Sequence, residues 1–94
     1  MAEPTEEEAL DAIFGALSDS SRRKILQLLR NAGELRVGDL AAAFDMSLNG
    51  VSKHLKVLEK AGLVQREIRG REHWLRPSPA RLSPALRFLS LIHI

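Results

Sequence analysis

Residues 39–62, Asp39-Leu-Ala-Ala-Ala-Phe-Asp-Met-Ser-Leu-Asn-Gly-Val-Ser-Lys-His-Leu-Lys-Val-Leu-Glu-Lys-Ala-Gly62, read as two helices joined by a tight turn. The second helix runs from an N-cap at Ser47 to a stop at Gly62. At about 100° per residue, Val51, Leu55 and Leu58 share one apolar face, and Asn49, Lys53, Lys56 and Lys60 form a polar column on the other. An α-helix with its side chains is about 10–12 Å across and the major groove of B-DNA about 12 Å wide, so such a helix can lie in the groove with its polar column toward bases and phosphates.

Outward from this stretch the chain divides at its breakers. A first helix, Glu6 to Leu17, repeats apolar residues at Leu10, Ile13, Phe14 and Leu17. A second starts after Asp19 or Ser20 and ends at Asn31-Ala32-Gly33, and a third, Val37 to Phe44, buries Val37, Leu40, Ala41 and Phe44. Asp45-Met46 is the turn. After Gly62 the period changes: Leu63 to Ile68 and Glu72 to Arg76 flank Arg69-Gly70-Arg71 as an antiparallel hairpin, with glycine where φ must be positive. Ser78-Pro79 and Ser83-Pro84 are both helix starts, and one opens a last helix carrying Ala85, Leu86, Leu89 and Ile92 on one face with Phe88 beside it. The expected fold is mainly α with a small β-hairpin, in the order H-H-H-H-E-E-H, as one domain over residues 1–94 with 1–5 disordered.

Composition narrows the function. Ninety-four residues make one domain, which buries only about 60–65% of its unfolded surface, so a partner subunit would add stability. With no cysteine in the sequence, disulfides, thiolate catalysis and cysteine metal sites are excluded. No apolar run approaches the roughly 18–20 residues of a membrane span, and the acidic start is unlike a secretory signal, so a cytoplasmic protein is expected. Residues 1–20 hold six of the 12 acids and no Lys or Arg; all 14 bases therefore face six acids in residues 21–94, a balance of +8. A surface of that sign attracts polyanions. Solvation of the charged faces is the plainer alternative.

Helix-turn-helix followed by a two-stranded wing is the winged-helix arrangement. Leu17-Ser-Asp-Ser-Ser-Arg-Arg-Lys-Ile-Leu26, Glu34-Leu-Arg-Val-Gly-Asp-Leu-Ala41, Met46-Ser-Leu-Asn-Gly-Val-Ser-Lys-His-Leu-Lys-Val-Leu58, Ala61-Gly-Leu-Val64 and Arg69-Gly-Arg71 resemble the ArsR (ArsR/SmtB) family of bacterial winged-helix repressors over roughly residues 8–92. The resemblance implies a homodimer built on the first and last helices, a fourth helix and wing that bind DNA, and release when an effector is sensed. Metal-sensing relatives carry paired cysteines where Arg36 and Gly38 stand here, so a member without the cysteine metal site is implied. Other relatives bind zinc through Asp, His and Glu of the last helix, but from Pro77 onward the only candidate ligand is His93. No metal or other cofactor is expected, and the effector is open.

Each proposed DNA contact has its own logic. Asn49 is read as a bidentate contact to adenine N6/N7, with support of the helix start as the alternative. Ser47 serves as cap and phosphate donor. Ser52 flanks the column and meets either DNA or water. Lys53 and Lys56 suit phosphates, since an ammonium is a flexible point charge, whereas Lys60 lies some 16 Å along the helix from Asn49 and is read as solvated. Gly50, which within a helix costs about 1 kcal/mol relative to alanine, either lets backbone approach DNA or is simply tolerated. Leu48 touches a thymine methyl or covers the core, its angle leaning to the core. His54 sits at the border of the apolar face, where the family places a histidine near the DNA backbone and the helical wheel a half-buried structural one. Arg69 and Arg71 stand at the wing tip, able to enter a minor groove, and Arg66 can reach a phosphate from the wing strand. Arg22, Arg23 and Lys24 are expected to be solvated, with a phosphate partner as the alternative, and Trp74 to belong to the hairpin core rather than to form a stacking platform.

The dimer interface is expected to be Leu10, Ile13, Phe14, Leu86, Phe88, Leu89 and Ile92, more apolar surface at the two ends than one small core readily hides. The leading reading is therefore a homodimeric repressor of double-stranded DNA at an inverted-repeat operator. The alternative is a winged-helix module that docks an acidic protein. An enzyme finds no support, because neither a phosphate loop nor clustered catalytic carboxylates occur in the sequence.

Overall fold

A computed structural model describes residues 3–78 and 83–92, with side chains over 3–78 and 85–91. Helix α1, Glu6–Leu17, is capped by Thr5, whose hydroxyl accepts from the Glu8 N–H at 3.1 Å. Helix α2, Ser20–Ala32, begins on Asp19, whose carboxylate accepts from the backbone N–H groups of Ser21 and Arg22 at 2.8 and 3.2 Å. Two of the donors that a helix start leaves unpaired are satisfied there. Helix α3, Val37–Phe44, ends at Asp45 in the left-handed region, and helix α4, Leu48–Lys60, follows from the Ser47 cap. These helices agree with the sequence reading because their caps are local signals.

The sheet differs from that reading by one strand. Strand β2, Val64–Arg69, and strand β3, Glu72–Pro77, form the expected hairpin, with Gly70 at φ 63° in its turn. A further strand β1, Leu35–Arg36, pairs antiparallel with the other side of β3, giving the order β1-β3-β2. Two residues show no period, so the order H-H-H-H-E-E-H lacked β1. Helix α5, Ser83–Ile92, closes the described chain, so the Ser83-Pro84 start opens the last helix; Pro79 and His93 lie outside the described residues.

The core gathers one face of each element. Ile13, Ile25, Leu29, Leu40, Val51, Leu55, Leu58 and Leu75 are fully or almost fully buried. Each such side chain stabilises the fold by about 1.5–3 kcal/mol relative to an exposed one. Leu10 and Ile13, expected at a dimer interface, retain only 7% and 1% of their exposure, so both belong to the protomer's own core. The i, i+3 spacing that marked them as apolar could not say which neighbour would cover them.

Candidate nucleic-acid interface

Helix α4 separates its two faces cleanly. Val51, Leu55 and Leu58 anchor it to the core, while Asn49, Lys53, Lys56 and Lys60 are all exposed. Among the described residues no carboxylate lies within ion-pairing reach of these three lysines. Ser47 is exposed and accepts from the Gly50 N–H at 3.0 Å. A Cβ added at Gly50 would sit 3.3 Å from Ser47 Oγ and 3.4 Å from Met46 Cε, so the glycine relieves crowding inside the capping turn. Leu48 does not cover the core: Val51 fills the inward position of the first turn, and Leu48 projects outward at 60% exposure. Ser52 is half-buried on the flank of the column.

Behind α4, His54 is half-buried, its Nδ1 lying 3.4 Å from Arg22 Nη1. Arg22 and Arg23 are not simply solvated. Arg22 donates from Nε to the Ala16 carbonyl at 2.7 Å and from Nη2 to that of Gly15 at 3.1 Å; Arg23 Nη1 donates to Leu17 O at 2.6 Å. Cations at the start of α2 thus satisfy the last carbonyls of α1, where the helix dipole is negative. The hydrogen bonds from the Arg22 backbone, with those from Ser21, hold the Asp19 carboxyl below its ordinary range despite the opposing effect of burial.

The wing is built differently. Arg66 donates from Nε to Glu59 Oε1 at 2.7 Å, and its Nη1 lies 2.9 Å from His73 Nδ1, so it ties β2 to the end of α4. Arg69 donates to both carboxylate oxygens of Glu34, at 3.0 and 2.7 Å, and to Glu67 at 3.1 Å. Its guanidinium carbon is 4.8 Å from the centroid of the Trp74 ring. From β1, on the other side of β3, Arg36 lies 5.4 Å from the same ring and pairs with Glu72 at 2.7 Å and Asp39 at 3.2 Å. Trp74 is therefore half-buried on the outer face of the sheet between two guanidiniums, and the core position of β3 belongs to Leu75. The Arg36 hydrogen bonds hold Asp39 below its ordinary carboxyl range, and those of Arg69 do the same for Glu67. Arg69 is itself raised, first by Glu34 and then by Glu67.

Of the two tip arginines, only Arg71 is without a carboxylate partner among the described residues. It is exposed and helps to line an open groove of about 490 Å³ with Val37, Gly38, Leu48, Ser52 and His73; Asp39 and Glu72 also line it, both paired with Arg36. The start of α3, the start of α4 and the wing thus face one concavity. The sequence reading placed Arg69 and Arg71 alike at the tip for a minor groove and Arg66 on the strand for a phosphate; ion pairs now separate Arg66 and Arg69 from Arg71. Glu59, Glu67 and Glu34 were the missed members. Alternation in the hairpin puts Glu67, Arg69 and Trp74 on one face, but nothing local links Glu34 to Arg69, 35 residues away.

At the opposite end, Phe14 and Phe88 meet edge to face, with centroids 6.0 Å apart, linking α1 to α5. Both rings remain over one-third exposed, and Leu86, Leu89 and the unforeseen Leu91 extend this apolar strip. The side chain of Ile92 lies outside the described residues. Among the described residues no group of three or more metal-binding side chains occurs, and no helix is long and apolar enough to cross a membrane.

The sequence profile of bacterial regulatory proteins of the arsR family matches residues 19–66. The arsenical resistance operon repressor of Staphylococcus aureus is 38% identical over 84 residues, covering 89% of this chain and 80% of that protein. An ArsR-like transcriptional regulator from Rhodococcus sp. RHA1 superimposes with a TM-score of 0.82 at 36% identity, over 89% of this chain and 76% of that one. The homodimeric winged helix-turn-helix DNA-binding domain of a Mycobacterium bovis protein gives a TM-score of 0.74 at 27% identity, over 100% and 94% of the two chains.

Proposed function

Because the chain belongs to the arsR family of bacterial regulatory proteins, whose winged helix-turn-helix it shares, we propose that it is a homodimeric repressor of transcription that reads an inverted-repeat operator in double-stranded DNA. The observation that carries this reading is the exposed column of α4, Asn49, Lys53 and Lys56, on a helix whose Leu48 and Ser52 share a groove with Arg71. Asn49 reads a base edge near the helix start, where recognition helices contact bases. Lys53 and Lys56 grip phosphates, Ser47 donates its hydroxyl to one, and Leu48 and Ser52 meet the groove edge. His54 supports the helix from behind, and Gly50 leaves room in its capping turn. The staphylococcal relative is a repressor and the mycobacterial one a homodimer, in agreement with this reading.

The partner subunit covers the strip formed by Phe14, Leu86, Phe88, Leu89 and Leu91, an exposed apolar surface continuous across α1 and α5. Two-fold symmetry then sets the two α4 helices in successive major grooves, about 34–36 Å apart. Light scattering at micromolar concentration is expected to return twice the 10.5 kDa chain mass, and Leu89→Glu to return the monomer. Fluorescence anisotropy of the wild-type protein with duplexes from its own upstream region tests the DNA reading. Tight binding to one duplex over random sequence, with affinity falling steeply with salt, is expected. Equal affinity for random duplex, or no dependence on salt, sinks it in favour of a module that docks an acidic protein.

A further inference from the structure

Resting on the DNA-binding reading, we propose that the two arginines of the wing tip have different jobs: Arg71 is the wing's nucleic-acid contact, whereas Arg69 is a positioning residue that locks the wing onto the helix-turn-helix through Glu34 and Trp74. A two-stranded hairpin is marginal alone, and β1 supports this one over only two residues. Something else must hold its tip. Arg69 has both terminal nitrogens in hydrogen bonds to Glu34 and Glu67, and its guanidinium carbon lies over the Trp74 ring. The fork geometry of arginine suits this combination of bidentate pairing and stacking.

Glu34 lies just ahead of β1, at the entry to α3, so its pair with Arg69 joins the wing tip to the segment that sets the helix-turn-helix. Arg36 braces the same ring from β1, bonded to Glu72 of β3 and to Asp39 in the first turn of α3. To grip a phosphate, Arg69 would have to leave two carboxylates and an aromatic face. Arg71 would leave no carboxylate among the described residues, and it already lines the groove beside Leu48 and Ser52.

The two roles predict opposite signs for one substitution. Glu34→Gln removes a negative charge; if Arg69 were a phosphate contact held back by Glu34, it would be released, and binding would tighten with a steeper salt dependence. If Arg69 is the lock, Glu34→Gln loosens the wing. Anisotropy titrations of the intact protein against one selected duplex, at several salt concentrations, are expected to show Glu34→Gln and Arg69→Gln each binding about 3–10-fold more weakly, with slopes no steeper for the first and unchanged for the second. Arg71→Gln is expected to weaken binding and flatten the slope of log K against log salt by about 1 unit per half-site. The emission of Trp74, the only tryptophan, is expected to shift in the Arg69 and Glu34 variants without DNA and to stay put in Arg71→Gln. Thermal melts establish that each variant is folded at the assay temperature. Tighter or unchanged binding by Glu34→Gln, a steeper slope for it, or equal flattening by Arg69→Gln and Arg71→Gln overturns the assignment. Failure of the wild-type protein to bind any duplex overturns the DNA reading as well, which separates the two failures.

Discussion

The outer face of α4 and the wing are both basic in sequence, and they differ in what their cations touch. Lys53, Lys56 and Lys60 project from α4 with no carboxylate in reach among the described residues, whereas Arg66, Arg69 and Arg76 of the wing pair with Glu59, Glu34 and Glu67. A lysine surrounded by water and counterions gains from a phosphate chiefly by releasing those ions. An arginine already held by carboxylates must first break those pairs. Charge counted along a chain therefore overstates the charge available to a polyanion, and the wing shows by how much: of its four arginines, Arg71 alone has no partner among the described residues.

The largest effect expected is on the sheet that carries the wing. Leu75→Ala empties a fully buried site in β3 and should lower stability by about 2–5 kcal/mol in urea unfolding. Trp74→Ala, one residue away on the outer face, should lower it less while weakening DNA binding more. The reverse order would mean that the ionic outer face, and not the core, holds the wing.

On α4, Asn49→Ala should raise the free energy of binding by about 1–3 kcal/mol per half-site and relax selectivity at one base pair, with the salt slope unchanged. Equal weakening on specific and random duplexes would reassign Asn49 to support of the helix start. The two basic regions are compared directly by Lys53→Ala and Arg66→Gln. The first should flatten the salt slope by about 1 unit per half-site, and the second should leave it unchanged because Arg66 is held by Glu59 and His73. Equal flattening by the two would erase the distinction between exposed and paired cations.

The smallest effect concerns acid. Asp19, Asp39 and Glu67 have carboxyls held below their ordinary range, by backbone hydrogen bonds at the α2 start for Asp19 and by Arg36 and Arg69 for the other two. A depressed folded-state pKa contributes stability that is complete above the unfolded value and is lost as pH falls through the folded one. Urea midpoints should therefore hold constant from neutral down to about pH 5 and fall below about pH 4. Asp19→Asn keeps the cap and should make that acid-side fall shallower. A fall of equal steepness would show that the α2 cap contributes nothing to acid sensitivity.

Where the sequence reading succeeded, the signal was short-ranged. Asp19, Ser47 and Gly62 mark helix ends through bonds or dihedrals spanning at most a few residues, and the apolar period of α4 selected Val51, Leu55 and Leu58 for burial. The arsR-type pattern was legible for the same reason, since its motifs are contiguous. Where it fell short, packing between elements decided. Leu48 lost its expected core position to Val51, Trp74 lost its own to Leu75, and Arg22 found the carbonyls that end α1.

By itself, then, the sequence determined five helices, a hairpin, a polar column on α4 and a basic body following an acidic start. These follow from local hydrogen bonding and from the fixed periods of helix and strand, which each stretch of chain obeys wherever it lies. Only the tertiary structure decided that Leu10 and Ile13 are core while Phe14 is surface, that β1 pairs with β3, and that Glu34 neutralises Arg69 while Arg71 meets no carboxylate among the described residues. Burial and ion pairing depend on which surfaces meet, and the period of a helix or strand says only that a face is apolar or charged, not what will cover it.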